Sequence, residues 1–211
     1  IKETRKVYFL KTHNVYGAYK GNNFTTPEFT LGAINIVRDP RNVITSLMNH
    51  YSINEEEALK MLSSVHRNLK DRNNKDDYSN YSFISSWANN YKSWKISQNI
   101  NKLLIRYEDL ENNRVKTFSE ILDFTNKLMK NGQQINKQKL KKSIKSTDFD
   151  VLKNKEKKEG FIEAVYSEDL VGKKPFFNLG KENNYKKLLK TETIKSIEKR
   201  FENEMKELGY L

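Results

Sequence analysis

Cysteine is absent from the sequence, which removes disulfides, thiolate catalysis and cysteine-ligated metal sites and gives no sign of an oxidising compartment. No apolar run approaches the roughly 20 residues that a membrane span requires. The opening Ile1-Lys2-Glu3-Thr4-Arg5-Lys6 lacks the apolar core of a signal peptide. A cytoplasmic protein with no membrane partner is therefore expected. Acid is in short supply: 27 Asp and Glu stand against 39 Lys and Arg, a net charge of +12. That excess favours an anionic partner, whether nucleotide, nucleic acid, acidic lipid or a sulfated or phosphorylated small molecule. Lysine is also interleaved with asparagine throughout, so a compositional bias accounts for the charge equally well, and both readings stay open. Internal repeats and convincing linkers are lacking too, so a single domain over residues 1–211 is expected. No cluster of ligating side chains suggests a metal. The sequence opens on Ile and not Met and enters an apolar run within a few residues, from which an N-terminally incomplete domain is expected.

What is present reads as strands leading into helices. Val7-Tyr8-Phe9-Leu10 is an apolar, β-prone run expected to form a buried strand closed by Lys11-Thr12-His13. Asn14 to Thr30, with Gly17, Gly21, paired Asn and Pro27, reads as a loop, and Leu31 to Val37 as a second strand. Asp39 can cap a helix with Pro40 in its first turn and Val43, Leu47, Met48 and Tyr51 on its apolar face. Asn54 before three glutamates starts another helix, backed by Leu59, Leu62 and Val65. After a charged break at Arg72 to Ser79, Phe83, Trp87, Tyr91 and Trp94 recur at helical spacing, and Lys102 to Arg106 returns to strand. Phe118 to Leu128 and Ile135 to Ile144 carry helical patterns, Val151 to Pro175 reads as a long mobile loop, and Ile194 to Leu208 predicts a terminal helix ended by Gly209. Strands followed by helices, with polar residues at the strand ends, predict an α/β sheet that takes its ligand at the carboxyl edge.

Within this order the stretch Ile34-Asn35-Ile36-Val37-Arg38-Asp39-Pro40-Arg41-Asn42-Val43-Ile44-Thr45-Ser46 places Arg38 at a strand end and Ser46 about two turns into the helix. An anion there would meet free amides, a positive dipole end and a guanidinium. Local physics equally allows Arg38 to pair with Asp39 or another carboxylate while Ser46 merely occupies its place. The stretch resembles the 3'-phosphate motif of sulfotransferases that use 3'-phosphoadenosine 5'-phosphosulfate (PAPS). The resemblance implies that Arg38 and Ser46 hold the 3'-phosphate.

Further segments resemble that family in order. Leu10-Lys11-Thr12-His13 is similar to its Lys-Thr-His segment, which implies His13 as catalytic base and Lys11 as an electrostatic catalyst. A neutral imidazole near pH 7 suits removal of an acceptor's proton, and a lysine on the alternate residue of an extended chain faces the same side. Tyr107-Glu108-Asp109-Leu110 matches Tyr-Glu-Asp-Leu, whose tyrosine lies by the nucleotide; alone, Glu108 and Asp109 read as helix-start acids. Ser146-Thr147-Asp148-Phe149 resembles a Thr-Ser-Phe segment bordering adenine, where Thr147 can hydrogen-bond and Phe149 can stack; by itself Phe149 reads as core. Phe176 to Lys186 resembles Phe-Phe-Arg-Lys-Gly-x-x-Gly-Asp-Trp-Lys, with Asn178 and Leu179 in place of the basic pair, Asn183 for the second glycine and Tyr185 for tryptophan. Gly180 permits close backbone approach to a phosphate, Asn183 tolerates a left-handed turn, and Lys181 can supply charge. Trp87 and Trp94 resemble tryptophans of a family helix and read as core.

The resemblance implies a three-layer α/β sandwich with a mostly parallel sheet, of the P-loop nucleoside triphosphate hydrolase type. The family's Pro-Lys-Ser-Gly-Thr-Thr-Trp loop, which cradles the 5'-phosphosulfate, has no counterpart in these 211 residues, so a partial sequence, a trimmed N-terminus or a degenerate homologue is expected, in that order, the loop and a central strand lying upstream in the first two. The implied activity is sulfonate transfer from PAPS, without metal, to a hydroxyl or amine of a small-molecule or glycan acceptor. A 3'-phosphoadenosine-binding homologue without turnover is the alternative. A nucleic-acid binder ranks last, because the aromatics follow core periodicity and do not interleave with Lys and Arg on one face. Neither the acceptor nor the oligomeric state is legible.

Overall fold

The computed structural model describes residues 6–19, 21–70, 81–161 and 175–211. Its central pair of strands is β3 (Gly32–Val37) and β6 (Asn101–Arg106), hydrogen-bonded in parallel with Gly32 opposite Asn101 and Val37 opposite Arg106. Two short antiparallel pairs stand apart from it, β1 (Ala18–Tyr19) with β2 (Asn22–Asn23) and β4 (Asn68–Lys70) with β5 (Tyr81–Phe83). The crossover between the parallel strands carries α1 (Pro40–Tyr51), α2 (Glu55–Ser63) and α3 (Trp87–Ile96). After β6 come α4 (Tyr107–Asn112), α5 (Arg114–Met129), α6 (Lys137–Ser146) and α7 (Phe149–Glu159). A 3₁₀ turn at Gly180–Glu182 then leads through α8 (Tyr185–Leu188), α9 (Thr191–Arg200) and α10 (Glu202–Leu208).

Helices cover both faces of the parallel pair, which makes this an α/β fold. On one side α5 lies so close that a Cβ on Gly32 would sit 2.5 Å from Leu128 Cδ1 and 3.2 Å from Phe124 Cζ, so only glycine fits there. On the other side Val37 packs with Tyr91 of α3 and Leu208 of α10. The main core lies beyond the sheet, where Ile44 and Leu47 of α1, Ala58 and Leu62 of α2, and Ile197, Phe201 and Met205 close on one another. Burying side chains of this size stabilises by about 2 kcal/mol each. Capping agrees with the sequence: Asp39 Oδ1 accepts from the Arg41 amide, and Asn54 and Glu57 form a reciprocal capping box.

Four expectations are corrected. Val7 to Leu10 is not a buried strand: the segment has no strand assignment, and Leu10 is 88 % exposed. A strand needs a partner for its amides and carbonyls, and among the described residues no ladder pairs with this segment. Phe83 belongs to β5, opposite Asn68, and the helix starts after Ser86, whose hydroxyl accepts from the Asn89 amide. The stretch from Val151 is helical through Glu159 in α7, because its lysines are good helix formers and Lys155 pairs with Glu159 at 3.7 Å. Residues 162–174 of the expected loop, and the break at Arg72 to Ser79, lie outside the described residues. The terminal helix is two helices that meet at Phe201 (φ −115°, ψ 22°), and Gly209 at φ 72° ends the second.

Candidate functional site

The β3–α1 corner is organised by a buried ion pair that spares Arg38. Asp39 accepts from Arg41 Nε at 2.9 Å and Nη2 at 2.6 Å, and Arg41 also donates to Glu198 Oε1 at 2.6 Å and to the Tyr210 carbonyl at 2.9 Å. Burial alone would lower the Arg41 pKa, but the Asp39 and Glu198 carboxylates more than offset it and hold the guanidinium charged. The Arg41 guanidinium also lies 4.3 Å from the Tyr185 ring centroid. Glu108 ties the start of α4 to the same corner, accepting from the Asp39 amide at 3.0 Å and the Tyr210 hydroxyl at 2.9 Å. Asp109 is engaged by Arg106, at 2.9 and 3.0 Å.

With Asp39 taken by Arg41, Arg38 turns to other partners. Its Nη1 donates to Ser46 Oγ at 3.2 Å, its guanidinium lies 4.2 Å from the Tyr107 ring centroid, and its buried Nε has no hydrogen-bond partner among the described residues. Burial raises the Tyr107 phenol above its ordinary range, with Arg38 opposing, so the phenol is neutral at pH 7. The corner thus presents a guanidinium held against a ring, a hydroxyl on the first turns of α1 and an unused buried donor. Such a set suits an anion.

The closing segment docks on a polar stripe of α1 formed by Asn42, Thr45, Ser46 and Asn49. Asn183 Nδ2 donates to Ser46 Oγ at 2.8 Å and to the Asn42 carbonyl at 3.3 Å, while its Oδ1 accepts from the Thr45 hydroxyl. The Tyr185 amide donates to Asn42 Oδ1 at 3.1 Å, and Asn178 Nδ2 to Asn49 Oδ1 at 2.9 Å. Asn183 sits at φ −71°, outside the left-handed region expected of it. Gly180 takes that conformation, at φ 51°, and its missing side chain makes room for Phe149, whose Cε1 would lie 2.6 Å from a Cβ. Phe149 also meets Phe177 edge-on at 6.1 Å, and Glu156 of α7 accepts the Phe176 and Phe177 amides at 2.6 and 2.9 Å.

The Lys11 to His13 segment is held from α3. Asn90 Nδ2 donates to the His13 carbonyl at 3.1 Å, Trp94 Nε1 to the Asn14 carbonyl at 2.9 Å, and Ser93 Oγ accepts from the Tyr16 amide at 2.9 Å. One turn before Asn90 on the same helix, Trp87 Nε1 donates to the Arg38 carbonyl at 3.1 Å. Positions 87, 90 and 94 share one helix face, so a single face anchors both the histidine segment and the arginine corner.

The structure therefore brings Arg38, Ser46 and Tyr107 together, sets Phe149 against Gly180, and links the two groups through Asn178 and Asn183. Lys181 is exposed in the turn before Asn183, and Lys11 and His13 are exposed on their segment. Thr147 is exposed, with its hydroxyl directed to the Ser143 and Ile144 carbonyls of its own helix. Sequence reasoning missed the anchoring by Trp87, Asn90 and Trp94 and the side-chain bonds of Asn178 and Asn183. The spacing of three polar-tipped residues on one face of α3 was the available signal. Among the described residues no group of three or more His, Asp or Glu could hold a metal ion, and no helix is long and apolar enough to cross a membrane.

A family model described as Sulfotransferase domain matches residues 1–209. Among solved structures, the chain is similar to mouse sulfotransferase SULT7A1 complexed with PAP, at 20% identity and a TM-score of 0.58, over 85% of this chain and 59% of that one. The chain thus spans about three fifths of the length of that structure, and at this identity the likeness is one of fold. No curated protein matches.

Proposed function

The chain belongs to the sulfotransferase domain family, and from that premise we propose that it transfers a sulfonate group from PAPS to a hydroxyl or amine of a small-molecule or glycan acceptor. The observation that carries this reading is the Arg38 guanidinium, which bonds to Ser46, lies over Tyr107 and keeps a buried Nε without a partner among the described residues. A buried donor left unsatisfied costs about 1–3 kcal/mol, and a phosphate oxygen would satisfy it. The donor set fits a phosphate monoester.

In this reading Arg38 and Ser46 hold the 3'-phosphate, Tyr107 and Phe149 flank the adenosine, and Thr147, Gly180 and Lys181 border it. When bound, PAPS supplies a sulfonate on a phosphate leaving group. A ring nitrogen of His13 accepts the acceptor's proton, which raises the nucleophilicity of the attacking oxygen or nitrogen. The ammonium of Lys11 stabilises the negative charge that builds during transfer. The contribution of α3 is positional, because it fixes the backbone of both segments. The whole of 1–211 acts as one sulfotransferase-like domain of a cytoplasmic enzyme, without metal, membrane or nucleic acid.

Mass-detected transfer from PAPS across a panel of hydroxyl and amine acceptors tests the proposal. Sulfonated product is expected, and His13→Ala should abolish it while leaving nucleotide binding intact. Turnover undiminished by that change would remove His13 from the mechanism. A second reading, nucleotide binding without turnover, draws support from the exposed Val7 to Leu10 segment, which has no ladder partner among the described residues, and from the neutral Asn178 and Leu179. Tight binding of 3'-phosphoadenosine 5'-phosphate (PAP) with no product across the whole panel would favour it.

A further inference from the structure

Arg38 and Arg67 are the half-buried arginines that no carboxylate reaches among the described residues, since Arg41 pairs with Asp39 and Glu198, Arg106 with Asp109, and Arg114 with Glu111 and Asp148. Beside the Arg67 guanidinium stands the Tyr51 hydroxyl, from the end of α1. Burial lowers the Arg67 pKa and that hydroxyl restores only part of the loss, yet a guanidinium stays charged at pH 7. A charge held half out of water without a counter-charge is costly, and an anion would complete it.

The fold pins Arg67 next to the segment that carries His13. The Arg67 carbonyl accepts from the Ile84 and Ser85 amides, both at 2.9 Å. Ser85 makes this possible by taking φ 60°, left-handed for a residue with a side chain, and its hydroxyl donates to the Val65 carbonyl at 2.9 Å. Asn90 Nδ2 then spans from the Ile84 carbonyl at 2.9 Å to the His13 carbonyl at 3.1 Å. The chain after His13 joins β5, with the Val15 amide donating to the Phe83 carbonyl at 2.9 Å and Asn14 Oδ1 accepting from the Phe83 amide at 2.7 Å. Arg67 therefore belongs to the same hydrogen-bonded wall as His13, and its side chain meets α1, the helix of Ser46.

We propose that Arg67 binds a carboxylate of the acceptor, so that the substrate class is hydroxy- or amino-substituted carboxylic acids and not neutral alcohols or amines. The proposal rests on the functional reading above and narrows its acceptor. A guanidinium offers a planar fork of donors to a carboxylate, and the Tyr51 hydroxyl adds a further one. Such an acceptor also needs its own counter-charge, because it must approach a co-substrate that is itself an anion. A solely structural Arg67 would pack its stem and keep its head wet, and it would not distinguish a charged acceptor from a neutral one.

Paired acceptors, each offered as the free carboxylate and as its amide, such as hydroxyphenylacetate and hydroxyphenylacetamide, test this on the full chain by turnover with PAPS and by calorimetry with PAP bound. The carboxylates should be preferred. Arg67→Met keeps the packing of the stem and removes the charge; it should lower kcat/KM for the carboxylates by about 10- to 100-fold, the worth of a hydrogen bond to a charged group, chiefly through KM. The amides and PAP binding should be nearly unchanged. Arg67→Lys, which keeps the charge without the fork, should recover part of the preference. Equal use of carboxylate and amide by the unaltered protein, or equal loss of both in Arg67→Met, would overturn the proposal while leaving the functional reading in place. No product from any pair, with carboxylates still bound through Arg67, would overturn the functional reading and leave the anion site. Neither product nor such binding would overturn both.

Discussion

The indole N–H of Trp87 donates to the main-chain carbonyl of Arg38 across 3.1 Å. That carbonyl lies where the β3 ladder has ended and α1 has not begun, so it depends on a side-chain partner. Trp87→Phe keeps a ring against Phe201, now 5.2 Å away, but leaves the carbonyl without its donor. The expected cost is about 1–3 kcal/mol, read as a lower urea midpoint with an unchanged slope, together with weaker PAP binding. An unchanged midpoint would show that the bond does not organise the corner.

Asn90 divides the two halves of the site. Its amide donates to the His13 and Ile84 carbonyls, and it has no bond to the arginine corner. Asn90→Leu should therefore lower the rate of sulfonate transfer by about 10- to 100-fold through misplacement of the base, with the PAP dissociation constant nearly unchanged. Steady-state kinetics beside calorimetry separates the two. A loss confined to nucleotide affinity would contradict the division.

At Gly180 two penalties coincide. The backbone is at φ 51°, and a Cβ would lie 2.6 Å from Phe149. Gly180→Ala should destabilise the chain by about 1–3 kcal/mol through the left-handed conformation alone, with further loss from the clash. The double variant with Phe149→Ala removes the clash but keeps the backbone penalty. A double-mutant cycle by urea unfolding should therefore show positive coupling between the two changes; additive losses would mean that the ring does not rest on Gly180.

Burial, followed by the nearby Glu108 carboxylate, raises the Tyr210 phenol well above its ordinary value. A group whose folded-state pKa is raised contributes stability that is present below its unfolded value, about 10 for tyrosine, and is lost as pH rises toward the folded value. Tyr210→Phe should therefore be less stable at pH 8, where its bond to Glu108 is missing, and the gap from the unaltered protein should narrow above pH ~10. Urea midpoints between pH 8 and 11 check this. Parallel curves would show that Tyr210 titrates alike in both states.

Much of this was legible because local rules and periodicity coincide. The Asp39 cap, the Asn54–Glu57 box and the parallel strands 32–37 and 101–106 all follow from short-range pattern. Val7 to Leu10 misled because an apolar, β-prone run states a preference but not a partner, and pairing decides whether a strand forms. Val151 onward misled because lysine was read as a sign of mobility, although it is a good helix former when flanked by i,i+4 acids. At the site, spacing put Arg38 at a strand end and Ser46 two turns into the helix, and only the family resemblance singled them out. That Arg41 and not Arg38 would take Asp39 could not be read from spacing, since the choice depends on Glu198 and Tyr210, more than 150 residues away in sequence. Asn178 looked like a loss of charge and Asn183 like a stand-in for a turn glycine, and both proved to be side-chain ties to α1.

The central claim is that the Arg38–Ser46 corner holds a 3'-phosphate, and phosphorus NMR of bound PAP tests it most directly. A phosphate monoester has its second ionisation near pH 6 in water. A guanidinium at hydrogen-bond distance favours the dianion, so the 3'-phosphate midpoint should move to lower pH when PAP is bound to the unaltered chain. A midpoint that stays at its free value, or rises, would contradict the account.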